Sequence, residues 1–121
     1  MKIQFLEYPK CSTCRKAKKW LETQAIPFKD RHIVEDNPTA AELQEWIARS
    51  GLPAKKFFNT SGKLYREMGI KDRLAEMSED EMAELLATDG MLIKRPLVIG
   101  EDFVLVGFKE DAWKQKMGLD K

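Results

Sequence analysis

Apolar and polar positions follow two different periods in the first third of the chain. Lys2–Tyr8 is a short, mainly apolar run of the length typical of a strand. Over Lys16–Gln24 the apolar residues instead recur at helical spacing, with Trp20 and Leu21 on one stripe. Phe28–Val34 then has the length and composition of a second strand. The pattern predicts a strand–helix–strand unit, most simply with parallel strands and a right-handed crossover.

The middle of the chain, from about residue 39 to residue 88, has the pattern of a helical segment. Thr39-Ala40-Ala41-Glu42 has the form of a capping box, in which a hydroxyl and a carboxylate bond the free amides of a helix start. Ser78-Glu79-Asp80-Glu81 repeats the device. We therefore expect helices to begin at these two motifs and to end at Gly51 and Gly90.

After this segment the period changes back to that of strands. Leu97–Ile99 and Phe103–Val106 flank Gly100-Glu101-Asp102, a β-hairpin signature. Asp111–Met117 has the spacing of a last helix. The predicted order is βαβ, a helical insertion at about 39–88, then ββα, which is the thioredoxin-like α/β layout with a four-stranded mixed sheet. We find no repeat or linker and expect one domain over residues 1–121.

Composition and charge narrow the class of protein. Hydrophobic residues make up 43% and charged residues 34% of the chain, which is ordinary for a globular protein and argues against disorder. The formal net charge is only +1, so no global field draws the chain to nucleic acid or anionic lipid. We expect neither direct nucleic-acid binding nor membrane association.

The beginning of the chain does not resemble a secretory signal, because polar residues interrupt its first apolar run. No stretch approaches the roughly 20 apolar residues that span a bilayer. We therefore expect a cytoplasmic protein, in a compartment where a close cysteine pair is more often catalytic or redox-sensing than structural.

Two cysteines stand where the first strand passes into the first helix. Cys11 and Cys14 have Cys-x-x-Cys spacing, which places two sulfurs within disulfide reach on a helical turn. A zinc site would need a second chain, since His32 is the one other soft ligand and is expected to be structural. Two inert core cysteines are the remaining alternative, which the surrounding lysines and arginine argue against.

The helix start and the nearby cations favour a reactive thiolate. Helix N-terminal amides and neighbouring positive charges lower the pKa of a cysteine, and a shift from 8.5 to about 7 makes it roughly half ionised at pH 7. We assign Cys11 as the nucleophile and Cys14 as the sheltered resolving thiol. Ser12, Thr13 and Arg15 in the same loop are candidate substrate or oxyanion ligands.

Arg95-Pro96, just before the hairpin, is the second candidate feature. A thioredoxin-like sheet usually presents a cis-proline opposite the cysteine loop, so we expect Pro96 to be cis and Arg95 to lie near Cys11. A guanidinium binds an oxyanion with two parallel hydrogen bonds, a geometry that a lysine cannot match. Arg95 is therefore the candidate oxyanion-binding residue.

Three motifs together resemble the arsenate reductase (ArsC) and Spx family over essentially the whole chain. They are Tyr8-Pro9-Lys10-Cys11-Ser12-Thr13-Cys14-Arg15-Lys16-Ala17, Phe57-Phe58-Asn59-Thr60-Ser61-Gly62 and Leu92-Ile93-Lys94-Arg95-Pro96-Leu97-Val98-Ile99. The resemblance implies a thioredoxin-like fold with a helical insertion, a nucleophilic Cys11 and an oxyanion-binding Arg95. The chain has no phosphate-binding glycine loop and no metal-ligand set, so we expect no bound cofactor. A disulfide formed between Cys11 and Cys14 would need a thiol reductant, thioredoxin or glutathione with glutaredoxin.

The chain departs from both branches of that family. Glutathione- and glutaredoxin-dependent arsenate reductases usually have serine at Cys14 and arginines at the places of Ser61 and Gly107. Spx-like regulators keep the cysteine pair as a redox switch and bind the RNA polymerase α-subunit, but their contact glycine is replaced around Leu52-Pro53. We expect an enzyme acting on an arsenic oxyanion or a small disulfide, with a thiol redox protein as partner, and keep the regulator as the alternative.

Overall fold

The computed structural model describes residues 2–119. Within that range the strands are β1 (Gln4–Glu7), β2 (Lys29–His32), β3 (Leu97–Ile99) and β4 (Val104–Val106). The α-helices are α1 (Ser12–Thr23), α2 (Ala40–Ser50), α3 (Lys63–Glu67), α4 (Ile70–Arg73), α5 (Glu79–Leu86) and α6 (Glu110–Lys116). Short 3₁₀ turns cover Ala54–Phe57, Leu74–Glu76 and Gly90–Leu92. None of the helices in this range has the length and apolar character of a membrane span.

The four strands form one mixed sheet in the order β2-β1-β3-β4. β1 and β2 are parallel, whereas β3 is antiparallel to both β1 and β4. This confirms the predicted α/β architecture with a four-stranded mixed sheet, including the parallel βαβ unit and the hairpin. The capping boxes predicted at Thr39 and Ser78 are both present.

The sheet is covered on both faces, and neighbouring residues of its central strands point to opposite sides. On one face Phe5 packs with α1 and with Trp113 of α6. On the other face Leu6 packs with the helical segment between β2 and β3, which contributes Trp46 among others. β1 is buried on both sides at its centre, where Phe5 and Leu6 are adjacent apolar residues that face opposite sides of the sheet.

The start of α1 at Ser12, directly after Cys11, agrees with the helix start predicted at the cysteine pair. One predicted helix boundary is wrong. α5 ends at Leu86 rather than at Gly90. The Thr88 hydroxyl donates to the Leu85 carbonyl at 2.6 Å and closes the helix early.

The strand pairing brings three distant segments to one edge of the sheet. Since β3 is antiparallel to β1, with Leu6 opposite Leu97, the chain leaves β1 beside the point where it enters β3. Leu97 also pairs with Val106, so the end of β4 reaches the same edge. The Gly107 amide donates to the Pro96 carbonyl at 2.9 Å and fastens these last two segments together.

Candidate active site

Cys11 is the N-cap residue of α1. Its backbone is extended, and its Sγ accepts a hydrogen bond from the Cys14 amide at 3.3 Å. The Cys11 amide donates to the Tyr8 carbonyl at 2.9 Å, which holds the loop against the end of β1. The half-buried sulfur therefore faces the free amides of the helix start, which stabilise negative charge on it.

Cys14 lies one turn further along α1 and has no exposed surface. Burial raises the pKa of the Cys14 thiol to about 12, although the nearby Arg95 charge acts in the opposite direction. Both cysteines are free thiols. Cys14 therefore stays protonated and out of reach of solvent, while Cys11 is accessible.

Arg95 lies beside the cysteine loop, and the Arg95–Pro96 peptide bond is cis. The guanidinium carbon of Arg95 lies 5.2 Å from the centre of the Tyr8 ring, and Nη1 is 3.3 Å from the Ile93 carbonyl and 3.4 Å from the Met91 carbonyl. Its Nε is buried and has no hydrogen-bond partner within residues 2–119. The guanidinium is thus held in place with donors still available for a ligand.

Two cavities meet at Cys11 and Arg95. The Tyr8 cavity, of about 640 Å³, has Tyr8 and Met91 in its wall. The Gly107 cavity, of about 330 Å³, has Gly107 in its wall. Both are lined by Cys11, Asn59, Ser61 and Arg95.

The other candidate residues from the cysteine loop are distributed over different cavities. Ser12 lines the Tyr8 cavity and Thr13 lines the Gly107 cavity. The Arg15 side chain turns away from both, approaches the Pro9 carbonyl at 3.4 Å and lines a third cavity with Glu7. The structure therefore brings Arg95 and Cys11 together and leaves Arg15 on another surface.

Asn59 lines both cavities but is not singled out by the sequence analysis. An isolated β-bridge between Phe58 and Ile93 brings Asn59 to the site, and the backbone amide of Asn59 donates to the Leu92 carbonyl at 2.8 Å. Its place in the turn motif before Gly62 is the one local signal that could have marked it. Tyr8 belongs to the cysteine-loop motif, and the structure places its ring under the Arg95 guanidinium.

One of the lysines that follow the cysteines in the sequence does not contribute a free positive charge near them. Lys18 Nζ lies 2.8 Å from Asp30 Oδ2 and 3.4 Å from Glu7 Oε2, so two carboxylates oppose its charge. Burial, followed by the neighbouring Asp30, raises the pKa of Glu7 to about 7. Burial favours a higher pKa for Asp30, but hydrogen bonds from Glu7 and Lys18 outweigh burial and lower the pKa of Asp30. A proton on Glu7 is thus shared with Asp30.

This buried carboxyl predicts a pH-dependent stability. The folded protein holds the Glu7 proton up to about pH 7, whereas the unfolded chain releases it near pH 4.5, so the stabilisation is complete below pH 4.5 and is lost as the pH rises through 7. We expect the free energy of unfolding to fall by about 2 kcal/mol between about pH 5 and pH 8. Asp30 is ionised in both states over that window and adds no slope.

Urea unfolding at several pH values measures this decline. Glu7→Gln cannot ionise, so its stability should be nearly flat over the same window. An equal decline in Glu7→Gln and in the unsubstituted protein would assign the effect to another group.

His32 has the structural role that the sequence analysis expects. Its Nδ1 accepts hydrogen bonds from the Val34 and Glu35 amides at 3.2 and 3.0 Å, and its ring packs edge-on against Tyr8. Among residues 2–119 no group of three or more His, Cys, Asp or Glu side chains is arranged to hold a metal ion.

Comparison with known sequences gives one family. The sequence model of the ArsC family matches residues 6–116. The protein YusI of Bacillus subtilis is 55% identical over 115 residues, which cover 95% of this chain and 98% of YusI. The global transcriptional regulator Spx of Enterococcus faecalis is 31% identical over 112 residues, which cover 93% of this chain and 83% of that protein.

Solved structures resemble the whole fold. An ArsC family related protein from Bacteroides fragilis superposes with a TM-score of 0.92 at 57% identity, covering 95% of this chain and 97% of the other. A possible arsenate reductase from Streptococcus mutans has a TM-score of 0.85 at 46% identity, covering 93% of this chain and 97% of the other. The similarity therefore includes both the sheet and the helical segment.

Proposed function

The chain belongs to the ArsC family, and from that membership we propose that it is a thiol–disulfide oxidoreductase of the arsenate-reductase type. Its relatives include a possible arsenate reductase and an Spx regulator, so membership alone leaves the reaction open. The observation that carries the proposal is the pairing of an accessible Cys11 at a helix start with a fully buried Cys14 one turn away.

The geometry suits attack by Cys11 on an oxidised centre. The Cys14 amide stabilises the Cys11 thiolate, and Arg95 offers donors beside it for an oxyanion or a polarised leaving group. With a disulfide R–S–S–R, the Cys11 thiolate bonds one sulfur, the S–S bond breaks, and the other half leaves as a thiolate. Cys14 then attacks Cys11 and forms the internal disulfide, and its proton passes to the second half, which leaves as a thiol.

With arsenate the same two thiols supply two electrons. The Cys11 thiolate displaces hydroxide from arsenic and forms an S–As bond. Cys14 attacks the Cys11 sulfur, the electron pair of the S–As bond stays on arsenic, and arsenite leaves. The high pKa of Cys14 keeps it protonated until this step, so it does not compete with Cys11 for substrate.

The cycle needs a thiol reductant rather than a bound cofactor. Thioredoxin, or glutathione with glutaredoxin, returns two electrons to the Cys11–Cys14 disulfide, and such systems belong to reducing compartments such as the cytoplasm.

Turnover tests the proposal directly. Supplied with arsenate or a small disulfide, a thiol reductant and NADPH-driven recycling, the protein should reduce many equivalents of substrate. It should not retain the C-terminal domain of the RNA polymerase α-subunit. NADPH consumption and a pull-down with that domain, each done with oxidised and reduced protein, measure the two properties.

The alternative function, an Spx-like regulator, predicts the opposite result in both assays. Its support is the 31% identity to Spx. The replacement of the regulators' contact glycine around Leu52-Pro53 counts against it. Redox-dependent retention of the α-subunit domain without turnover under either thiol reductant would replace the enzyme by the regulator.

A further inference from the structure

The Gly107 cavity beside Cys11 has an unbalanced charge. Three cations, Lys94, Arg95 and Lys109, line it, and no Asp or Glu side chain does. None of the three forms an ion pair within residues 2–119. Glu110, which follows Lys109, is 3.5 Å from Lys114 instead. The cavity is therefore a cationic recess that opens on the nucleophile.

Gly107 shapes the position of Lys94 in this recess. Its φ is +75°, in the left-handed region, where a side chain is disfavoured. A Cβ placed there would lie 3.1 Å from Lys94 Cε and 3.8 Å from Nζ. The Lys94 side chain thus crosses the surface that glycine leaves bare, while its amide is fixed to the Phe57 carbonyl at 2.8 Å.

The Gly107 cavity has room for a ligand larger than a tetrahedral oxyanion. An ion of that kind occupies on the order of a few water volumes, at about 30 Å³ each. The Gly107 cavity alone measures about 330 Å³ and continues past Cys11 into the Tyr8 cavity. A substrate that fills it has organic bulk as well as negative charge.

We propose that Lys94 and Lys109 bind the carboxylate of a small acidic disulfide and thereby select this class of substrate for Cys11. This inference rests on the proposed thiol chemistry and names its substrate. Cys11 bonds the sulfur of the half whose carboxylate lies in the Gly107 cavity, and the other half leaves as a thiolate that takes its proton from water. Arg95 remains next to the reacting sulfurs, and the two lysines determine charge preference.

The test compares three disulfides of similar length and different charge: dithiodipropionate, its neutral diamide and the dication cystamine. The Cys14→Ser protein stops at the mixed disulfide on Cys11, so intact-mass spectrometry gives each rate. Each rate is divided by the rate at which mercaptoethanol reacts with the same disulfide, which corrects for differences in the reactivity of the disulfides themselves. We expect the dicarboxylate to exceed the diamide about tenfold and cystamine to be slowest, with the preference shrinking at high salt.

Lys94→Gln in the same background should reduce the preference for the dicarboxylate about fivefold, the size of one partly exposed charge contact. Lys94→Arg should retain it. Lys71→Gln, on α4 and outside both cavities, is the matched control and should leave it unchanged. Reaction of the diamide as fast as the dicarboxylate would overturn the acidic-disulfide inference and leave the proposed thiol chemistry standing.

A binding measurement tests the inference independently of the proposed function, because it needs no reaction at Cys11. Thiodipropionate is an unreactive thioether with the same carboxylates. Titrated into the Cys11→Ser protein, it should shift the Gly107 and Phe108 amide resonances saturably, and Lys94→Gln should raise the apparent Kd about fivefold. Absence of a saturable shift, or a shift insensitive to Lys94→Gln, would overturn the inference.

Discussion

Replacing Cys11 by serine is expected to abolish reduction of any disulfide or oxyanion, the largest effect foreseen for a single side chain. Cys11 is the accessible thiol at the helix start, whereas Cys14 has no exposed surface and a pKa of about 12. A hydroxyl in place of the Cys11 thiol is far less acidic and cannot form the S–S or S–As bond. The buried Cys14 cannot replace it.

Single-turnover thiol release separates the roles of the two cysteines. Without added reductant and with the disulfide of thionitrobenzoate, the unsubstituted protein should release two equivalents of thiol, because Cys14 expels the second half. Cys14→Ser should release one and remain as a mixed disulfide detectable by mass. Cys11→Ser should release none.

Lys71→Gln, on α4 and outside both cavities, is the control and should still release both equivalents. If Cys11→Ser released thiol like the unsubstituted protein, the nucleophile would lie elsewhere. Two equivalents from Cys14→Ser would remove the resolving role from Cys14.

Arg95→Ala is expected to lower kcat/KM by about a hundredfold, the second largest effect. The guanidinium lies over Tyr8 with a buried, unpartnered Nε–H, so it has donors for charge that develops next to Cys11. Contacts to charged groups contribute about 1.5–3 kcal/mol each, which corresponds to a loss of roughly ten- to a hundredfold and more. Steady-state kinetics with arsenate or a disulfide measure it.

Stability should change far less than turnover in Arg95→Ala, because the two carbonyl contacts of Nη1 are long, at 3.3 and 3.4 Å. Arg95→Lys keeps the positive charge without the planar guanidinium, so its kcat/KM should lie between those of the unsubstituted protein and Arg95→Ala. Arg15→Ala is the matched control, since Arg15 lines a different cavity, and should have little effect. Unchanged kcat/KM in Arg95→Ala would exclude Arg95 from the reaction.

Local patterns predict most of the elements of this fold. The strand positions, the capping boxes at Thr39 and Ser78 and the glycine end of α2 depend on residues within a few positions of one another. The same holds for the placement of Cys11 at the start of α1. The end of α5 is the exception, because the Thr88 hydroxyl closes that helix before Gly90.

The charge environment of the cysteines could not be obtained from sequence order. Lys18 is one of the lysines that follow the cysteine pair in the sequence, but in the structure it is paired with Glu7 on β1 and Asp30 on β2. That pairing arises because parallel strands put Asp30 next to β1, on the side where α1 passes over the sheet. The elevated pKa of Glu7 has the same origin, because it follows from burial by elements far apart in the chain.

By itself the sequence determined the thioredoxin-like element order, the cysteine pair and the arginine–proline motif, because short-range spacing encodes each of them. The tertiary structure alone decided that Asn59 and Lys94 line the same site as Cys11. Their convergence depends on the antiparallel registers of β3 with β1 and β4 and on the bridge from Phe58 to Ile93. Such pairings join residues tens of positions apart, and no local period specifies which of them will meet.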